Sequence, residues 1–398
     1  MAQLEENSAS KQRTTAPRVL FLVEGNTDIR FVLGLSEISS LTMAVPSIAY
    51  AESGLKQRVE AAGISVAVDE IRGGRVRFQA TSLVFLLRHA RKFDVILCQD
   101  VLRGAMNSTL IGALTSTPVL TYMCIAPVEY FRCRYERGQC GWLRTLAGTT
   151  VIRLLMFLNG KLATHCIALG PYLREIAANY CPRTVTGLYY GVDTTYYRPV
   201  DKSAKVQLRI KLNLPVDPFI IFLSSRISHE KDPETVLHAV AIARSRGLNA
   251  MLLNMGGGYQ EFLRLARRVV GHDADRWILA RPAAHPITEL AEYYQAADCV
   301  AQASLSEGLG LSPLEAMACG TPVVCTSVGG LKANLDGYAR LTPRSDPESM
   351  ATELLWVAAN PELAREQALT GRDFVIRAWN RQRAFSELSS IFETVRQR

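Results

Sequence analysis

Glu307 and Glu315 are separated by seven residues, and the segment between them could bind an anion. It reads Gly308-Leu309-Gly310-Leu311 and then Ser312-Pro313. Ser312 is a strong helix N-cap, and Pro313 suits the first helical position, where its missing N–H costs nothing. The spacing predicts a helix from Pro313 to Cys319, stopped by Gly320 with Pro322 beyond it. A flexible loop feeding a short helix presents free N–H groups and a positive dipole end, for which a diphosphate is the natural anion. Glu315 admits two readings: a ligand to that anion's carrier, or the return arm of a capping box that reaches the Ser312 N–H. Glu307 is either an electrostatic partner of the helix end or a ligand to polar hydroxyls.

A second group of charges fits the same chemistry. Ser225-Arg226-Ile227-Ser228-His229-Glu230-Lys231 follows an apolar strand and precedes a helix. Arg226 offers a planar fork and Lys231 a point charge, and both would stand at the strand's carboxyl end. Fixed cations there would stabilise a leaving diphosphate more in the transition state than in the ground state. Met255-Gly256-Gly257-Gly258 ends the next strand, where glycine permits close approach of a ligand or makes only a tight turn. Asp273-Ala274-Asp275 lies in a polar loop and reads as solvated turn chemistry.

The elements that must position these residues alternate strand and helix. The first strand runs from Arg18 to Val23, followed by Glu24-Gly25-Asn26 and a helix from about Thr27 to Glu37, which opens a doubly wound sheet. Strands are expected at Thr42 to Tyr50, Ser65 to Val68, Val95 to Gln99, Val119 to Cys124 and His165 to Leu169, with an Arg-rich loop before a helix at Leu143 to Leu162. A second set begins at Phe219 to Leu223 and continues through Ala250 to Met255, Trp277 to Ala280, Cys299 to Ala303 and Pro322 to Cys325, with terminal helices after about Pro347. The reading is α/β, with two Rossmann-like doubly wound domains. At 398 residues two domains are expected.

Composition narrows the partners. Nine cysteines without a CxxC fit a reducing compartment rather than a disulfide framework. No secretory signal is read at the N-terminus, residues 1–17 are expected to be disordered, and the apolar window Val151 to Leu158 is too short to span a membrane. A cytoplasmic protein is expected, with the inner face of the membrane as a possible station. Residues 1–199 carry 22 Lys/Arg against 15 Asp/Glu, whereas residues 200–398 carry 23 against 22. The excess clusters at Arg72, Arg75, Arg77, Arg88, Arg91 and Lys92, and again at Arg132, Arg134, Arg137 and Arg144. These are either solvated surface arginines or a face for an anionic surface or acceptor, such as phospholipid headgroups or a lipid-linked diphosphate. Nucleic acid is not expected, because the basic runs lack interleaved aromatics and no helix-turn-helix or RNP pattern occurs.

The segment Ser306 to Val324 resembles the signature of glycosyltransferase family 4, a Glu-x7-Glu pair in the context EG(F/L)GL-x-PLEAMA-x-G-TPVV. Arg226 and Lys231 match that family's GR-x4-K element. The resemblance implies the GT-B fold, with two Rossmann-like domains facing across a cleft and a terminal helix that crosses back. The domains would then be 18–198 (acceptor), 199–378 (nucleotide sugar) and 379–398 (the returning helix). It implies a retaining, metal-independent hexosyltransferase that moves a sugar from a UDP- or GDP-sugar to a hydroxyl in glycan, glycolipid or natural-product synthesis. Arg226, Lys231 and Glu307 take the catalytic roles. Glu315 would hold the ribose, the backbone from Gly308 through Leu309, Gly310 and Leu311 to Ser312 the phosphates, with Gly25 beside the diphosphate, and Gly256, Gly257, Arg281 and Pro282 the rest of the nucleotide. No cofactor is implied. A histidine that many relatives place after the strand ending at Cys124 is absent, leaving Asp100, Glu129 and Tyr130 as acceptor candidates. Two rivals are a nucleotide-sugar 2-epimerase of the same architecture and a non-catalytic nucleotide-sugar-binding protein.

Overall fold

The computed structural model describes residues 16–397 except 26 and 65. The expected N-terminal tail therefore falls almost wholly outside the described residues. Thirteen strands among them form two all-parallel sheets. The first contains β1 (Arg18–Leu22), β2 (Ser40–Pro46), β3 (Ala67–Ile71), β4 (Val95–Cys98), β5 (Val119–Met123), β6 (His165–Leu169) and β7 (Thr184–Gly187), in the order β3-β2-β1-β4-β5-β6-β7. The second contains β8 (Phe219–Ser224), β9 (Ala250–Met255), β10 (Ile278–Arg281), β11 (Cys299–Gln302), β12 (Val323–Thr326) and β13 (Arg340–Thr342), in the order β10-β9-β8-β11-β12-β13. The central strands are continuous apolar runs because helices cover both faces, as parallel sheets require. Val19, Leu20, Phe21, Ile220, Ile221 and Phe222 are fully buried.

The strand order reverses between β1 and β4 in one sheet and between β8 and β11 in the other. Open α/β sheets bind ligands in the crevice at such a switch point, outside the carboxyl ends of the strands. Each domain therefore brings one crevice to the site: residues 23–25 and 99–102 in the first, residues 225–231 and 303–310 in the second.

The two domains are joined twice, side by side. The backbone N–H of Val192 donates to Trp379 O at 2.7 Å and that of Arg381 to Val192 O at 3.0 Å. The helix Arg381–Arg396 then lies on the first domain, with Phe385 stacked on Phe31 at 6.3 Å between centroids. Gly34 makes room for that ring, since a Cβ there would fall inside it.

Several elements differ from expectation. The strand expected to reach Tyr50 stops at Pro46 and turns into the helix Ser47–Glu52. The Arg-rich loop is largely the helix Pro127–Glu136, with Pro127 in its first turn and Cys133 buried. The helices Gly170–Ala178 and Lys202–Lys211 are additional to the expected set. All nine cysteines are free.

Candidate active site

The cation loop after β8 and the acidic loop after β11 meet directly. Lys231 Nζ donates to Glu307 Oε2 at 2.5 Å, with both side chains mostly buried. The same oxygen accepts from Gln302 Nε2 at 2.6 Å and Ser304 Oγ at 3.3 Å. Three donors on one oxygen fix the carboxylate's orientation, which suits a group that must present itself to a sugar. Arg226 lies 3.2 Å from Glu230, and its side chain is 64% exposed, so its fork remains available to an incoming anion. Glu230 is held below the usual carboxylate range although burial opposes this: backbone and Ser228 hydrogen bonds and the charges of Arg226 and Lys231 outweigh it.

The helix after Glu307 starts earlier than the sequence predicts. It spans Leu311–Ala318, and its cap is Gly310, in the left-handed region at φ 85°. Ser312 is therefore not the cap; its Oγ accepts from Tyr294 at 2.9 Å instead. The capping box is overturned with it, because a helix that begins at Leu311 places Glu315 beyond reach of its first N–H groups. Gly308 and Leu309 are buried against the other domain: a Cβ on Gly308 would stand 2.6 Å from Cys124 O, and Leu309 packs beside Gly170.

Glu315 has a partner that sequence reasoning missed. Arg30, in the first helix of the other domain, reaches it at 2.6 Å through Nη1. The same guanidinium binds Asp28 at 2.8 Å, donates to the hydroxyls of Tyr190 (2.6 Å) and Tyr197 (2.9 Å), and lies over the Tyr190 ring. Burial alone would lower the Arg30 pKa, but Asp28 and Glu315 hold it well above the ordinary value, so Arg30 stays charged. Burial pushes the Glu315 carboxyl up, against the pull of Arg30. The carboxylate to which the resemblance gives the ribose is thus paired with the protein's own cation.

The helix Pro127–Glu136 closes the other side of the cleft. Glu129 accepts from Tyr172 and, at 3.3 Å, from Ser306 beside Glu307. The Tyr130 ring meets His229 edge-on at 4.9 Å, and its carbonyl lies 3.3 Å from His229 Nε2. Arg137 pairs with Asp232, and Glu136 with Arg344 at 3.1 Å. Two of the three acceptor candidates, Glu129 and Tyr130, therefore stand over the charged loops of the second domain.

Asp100 stands apart from them. Its carboxylate accepts from the N–H groups of Val101, Leu102 and Gly104, at the start of the helix Arg103–Thr115. It also lines a cavity of about 320 Å³ with Glu24, Gly25, Gln99 and Tyr122, at the switch point of the first sheet. Burial raises the Asp100 pKa against its three amide bonds. Glu24 pairs with Arg103 at 2.5 Å. Gly25, expected beside the diphosphate, is thus found in the wall of this cavity.

Other expected contacts are redirected. Arg281 donates to the carbonyls of Leu212 (2.6 Å) and Asn213 (2.9 Å), so its fork ties a helix end instead of facing a base, and Pro282 is exposed. Gly256 permits the loops after β8 and β9 to touch, since a Cβ would stand 2.3 Å from Ser225 O; Gly257 faces open space. Asp273 and Asp275 pair with Arg276 and Arg267 on the surface. Gln302 and Ser304 went unnoticed in the sequence, although two polar residues two apart at the end of an apolar strand share one face and mark it.

Residues 205–374 match the family described as "Glycosyl transferases group 1". A D-inositol 3-phosphate glycosyltransferase of Streptomyces bingchenggensis is 34% identical over 199 residues, 46% of this chain and 42% of the relative. The D-inositol 3-phosphate glycosyltransferase 2 of Catenulispora acidiphila is 38% identical over 184 residues, 43% of this chain and 42% of that one. The alignments span less than half of these curated relatives. Solved structures match nearly the whole chain in shape. HepE of Anabaena in complex with UDP superposes with a TM-score of 0.76 over 95% of this chain and 100% of that one, at 16% identity. WaaG, a glycosyltransferase involved in lipopolysaccharide biosynthesis, gives 0.68 over 94% and 99%, at 12% identity. The architecture is GT-B.

Proposed function

We propose that the protein transfers a sugar from a UDP- or GDP-sugar to a hydroxyl acceptor, with retention at the anomeric carbon and without a metal ion. The observation that carries this reading is the meeting of Lys231 and Glu307 at the second switch point, with the exposed Arg226 on the same loop, under Glu129 and Tyr130 of the other domain. Negative charge grows on the diphosphate as the glycosidic bond breaks. Arg226, Lys231 and the N-terminal end of the Leu311–Ala318 helix supply a fixed positive field for it, which supports a metal-independent reaction. Glu307, held by Lys231, Gln302 and Ser304, orients the sugar hydroxyls. The acceptor enters through the cavity lined by Glu24 and Asp100, and its proton passes to a donor phosphate oxygen on the same face. The proposed station is the cytoplasm, with the N-terminal domain against the membrane.

In this reading Arg30 stands in for ribose hydroxyls as the donor to Glu315, and nucleotide binding displaces it. That contact also favours a second reading, in which the protein keeps the fold and admits no nucleotide. A thermal-shift screen of UDP-, GDP-, ADP- and CMP-sugars separates the two. A ligand at 100 times its Kd stabilises by about 2.7 kcal/mol if it binds only folded protein. One diphosphate-linked sugar should raise the melting point by several degrees; no shift with any of them contradicts the proposal.

A further inference from the structure

The helix Trp142–Leu162 is apolar on its outer side as well as at its core contacts. Inward, Thr149, Met156, Asn159 and Gly160 are buried and Ile152 packs against the core. Its outer face is apolar. Trp142, Leu143, Leu146, Leu154, Phe157 and Leu158 lie on the outward side, between 40% (Leu158) and 63% (Leu143) exposed. A surface helix ordinarily turns a polar face to solvent, and a contiguous exposed apolar patch marks a contact surface. The helix carries Arg144, Arg153 and Lys161 and no acidic residue. Arg132 and Arg134 sit on the neighbouring helix Pro127–Glu136, whose two acids are engaged across the cleft with Ser306 and Arg344. Among the described residues no acidic side chain pairs with any of these five cations.

We propose that this helix docks the protein on an anionic lipid surface, lying in the interface plane with its apolar face in the headgroup–acyl boundary. The inference takes its partner from the membrane contact proposed above but does not depend on the transfer reaction. Charge chooses the occupant. A second copy meeting this face by two-fold symmetry would set the five cations against their own copies. Anionic headgroups complement them, while long cationic side chains keep their charged ends at headgroup level and the leucines and aromatics insert. No helix among the described residues is long and apolar enough to cross a membrane, so the contact is peripheral. The helix also reaches the acceptor cavity: Asn159 Nδ2 donates to Val101 O at 3.0 Å and Leu102 O at 2.7 Å, and both residues line that cavity. Docking would therefore hold the cavity beside the headgroups and suits a lipid-borne hydroxyl acceptor.

Sedimentation of the full chain with phosphatidylcholine vesicles, with and without phosphatidylglycerol, tests this. The native protein should bind only the phosphatidylglycerol vesicles and be released by salt. Leu146→Glu with Phe157→Glu should weaken binding at least tenfold, and Arg144→Gln with Arg153→Gln severalfold, at unchanged melting temperature. Arg72→Gln with Arg91→Gln, in the other basic cluster, should leave binding intact. If only the Arg72/Arg91 variant fails to bind, the membrane contact stands and its assignment to this helix falls. If native protein binds neither vesicle, both fall, and a concentration-dependent dimer abolished by Leu146→Glu would assign the face to a second copy.

Discussion

Arg30→Met is expected to destabilise the protein by about 3–5 kcal/mol, because it leaves Glu315 buried, and Asp28 half-buried, without their cation. The methionine fills similar space, so the loss reports charge rather than packing. Urea denaturation at neutral pH gives the number. Adding Glu315→Gln should restore a large part of it, since one stranded carboxylate is then gone; a double variant no more stable than Arg30→Met would contradict the pairing. Nucleotide binding should move the other way. If Arg30 occupies the ribose position, Arg30→Met should bind its diphosphate sugar at least as tightly as the native protein, despite its lower stability. A loss of affinity would make Arg30 a ligand of the nucleotide instead of its competitor.

The second large effect concerns turnover. Lys231→Ala and Arg226→Ala should each lower kcat by about 100-fold, the usual loss when a fixed donor to developing negative charge is removed. KM should change far less, because the charge appears mainly as the bond breaks. Lys231 also positions Glu307 at 2.5 Å, so the pair should not add: Lys231→Ala with Glu307→Gln should be little worse than either change alone. Full additivity would mean that the two act separately.

The parts of the site legible in the sequence are those built within one strand–loop–helix unit. Glu307 lies five residues after Gln302, and Arg226 lies two after β8 ends, so strand ends and loop lengths alone place them in one crevice. The Arg30 partner of Glu315 was not legible for the opposite reason. It is 285 residues away, on a helix whose own pattern marks nothing unusual beyond an Asp28 cap. Register decided the rest: a left-handed Gly310 starts the helix two residues before the expected Pro313, which turns Ser312 from a cap into a partner of Tyr294. The helix Pro127–Glu136 reads as a loop because its arginines and glutamates outnumber its buried residues. Packing against the Trp142–Leu162 helix and ion pairs across the cleft hold it. The helix Gly170–Ala178 hides behind Gly170-Pro171, a breaker pair in isolation. Here Gly170 takes φ 74° at the strand's exit and Pro171 sits in the first turn.

The central claim is that the crevice between β8 and β11 receives the pyrophosphate of a sugar nucleotide. Diffraction from a crystal soaked with the diphosphate sugar that gives the largest thermal shift tests it most directly. The predicted result is pyrophosphate density between Arg226, Lys231 and the Gly308–Ser312 backbone, with Glu315 on the ribose and Arg30 withdrawn. A crevice with no ligand density and the Arg30–Glu315 pair intact, or a nucleotide bound elsewhere, would contradict it.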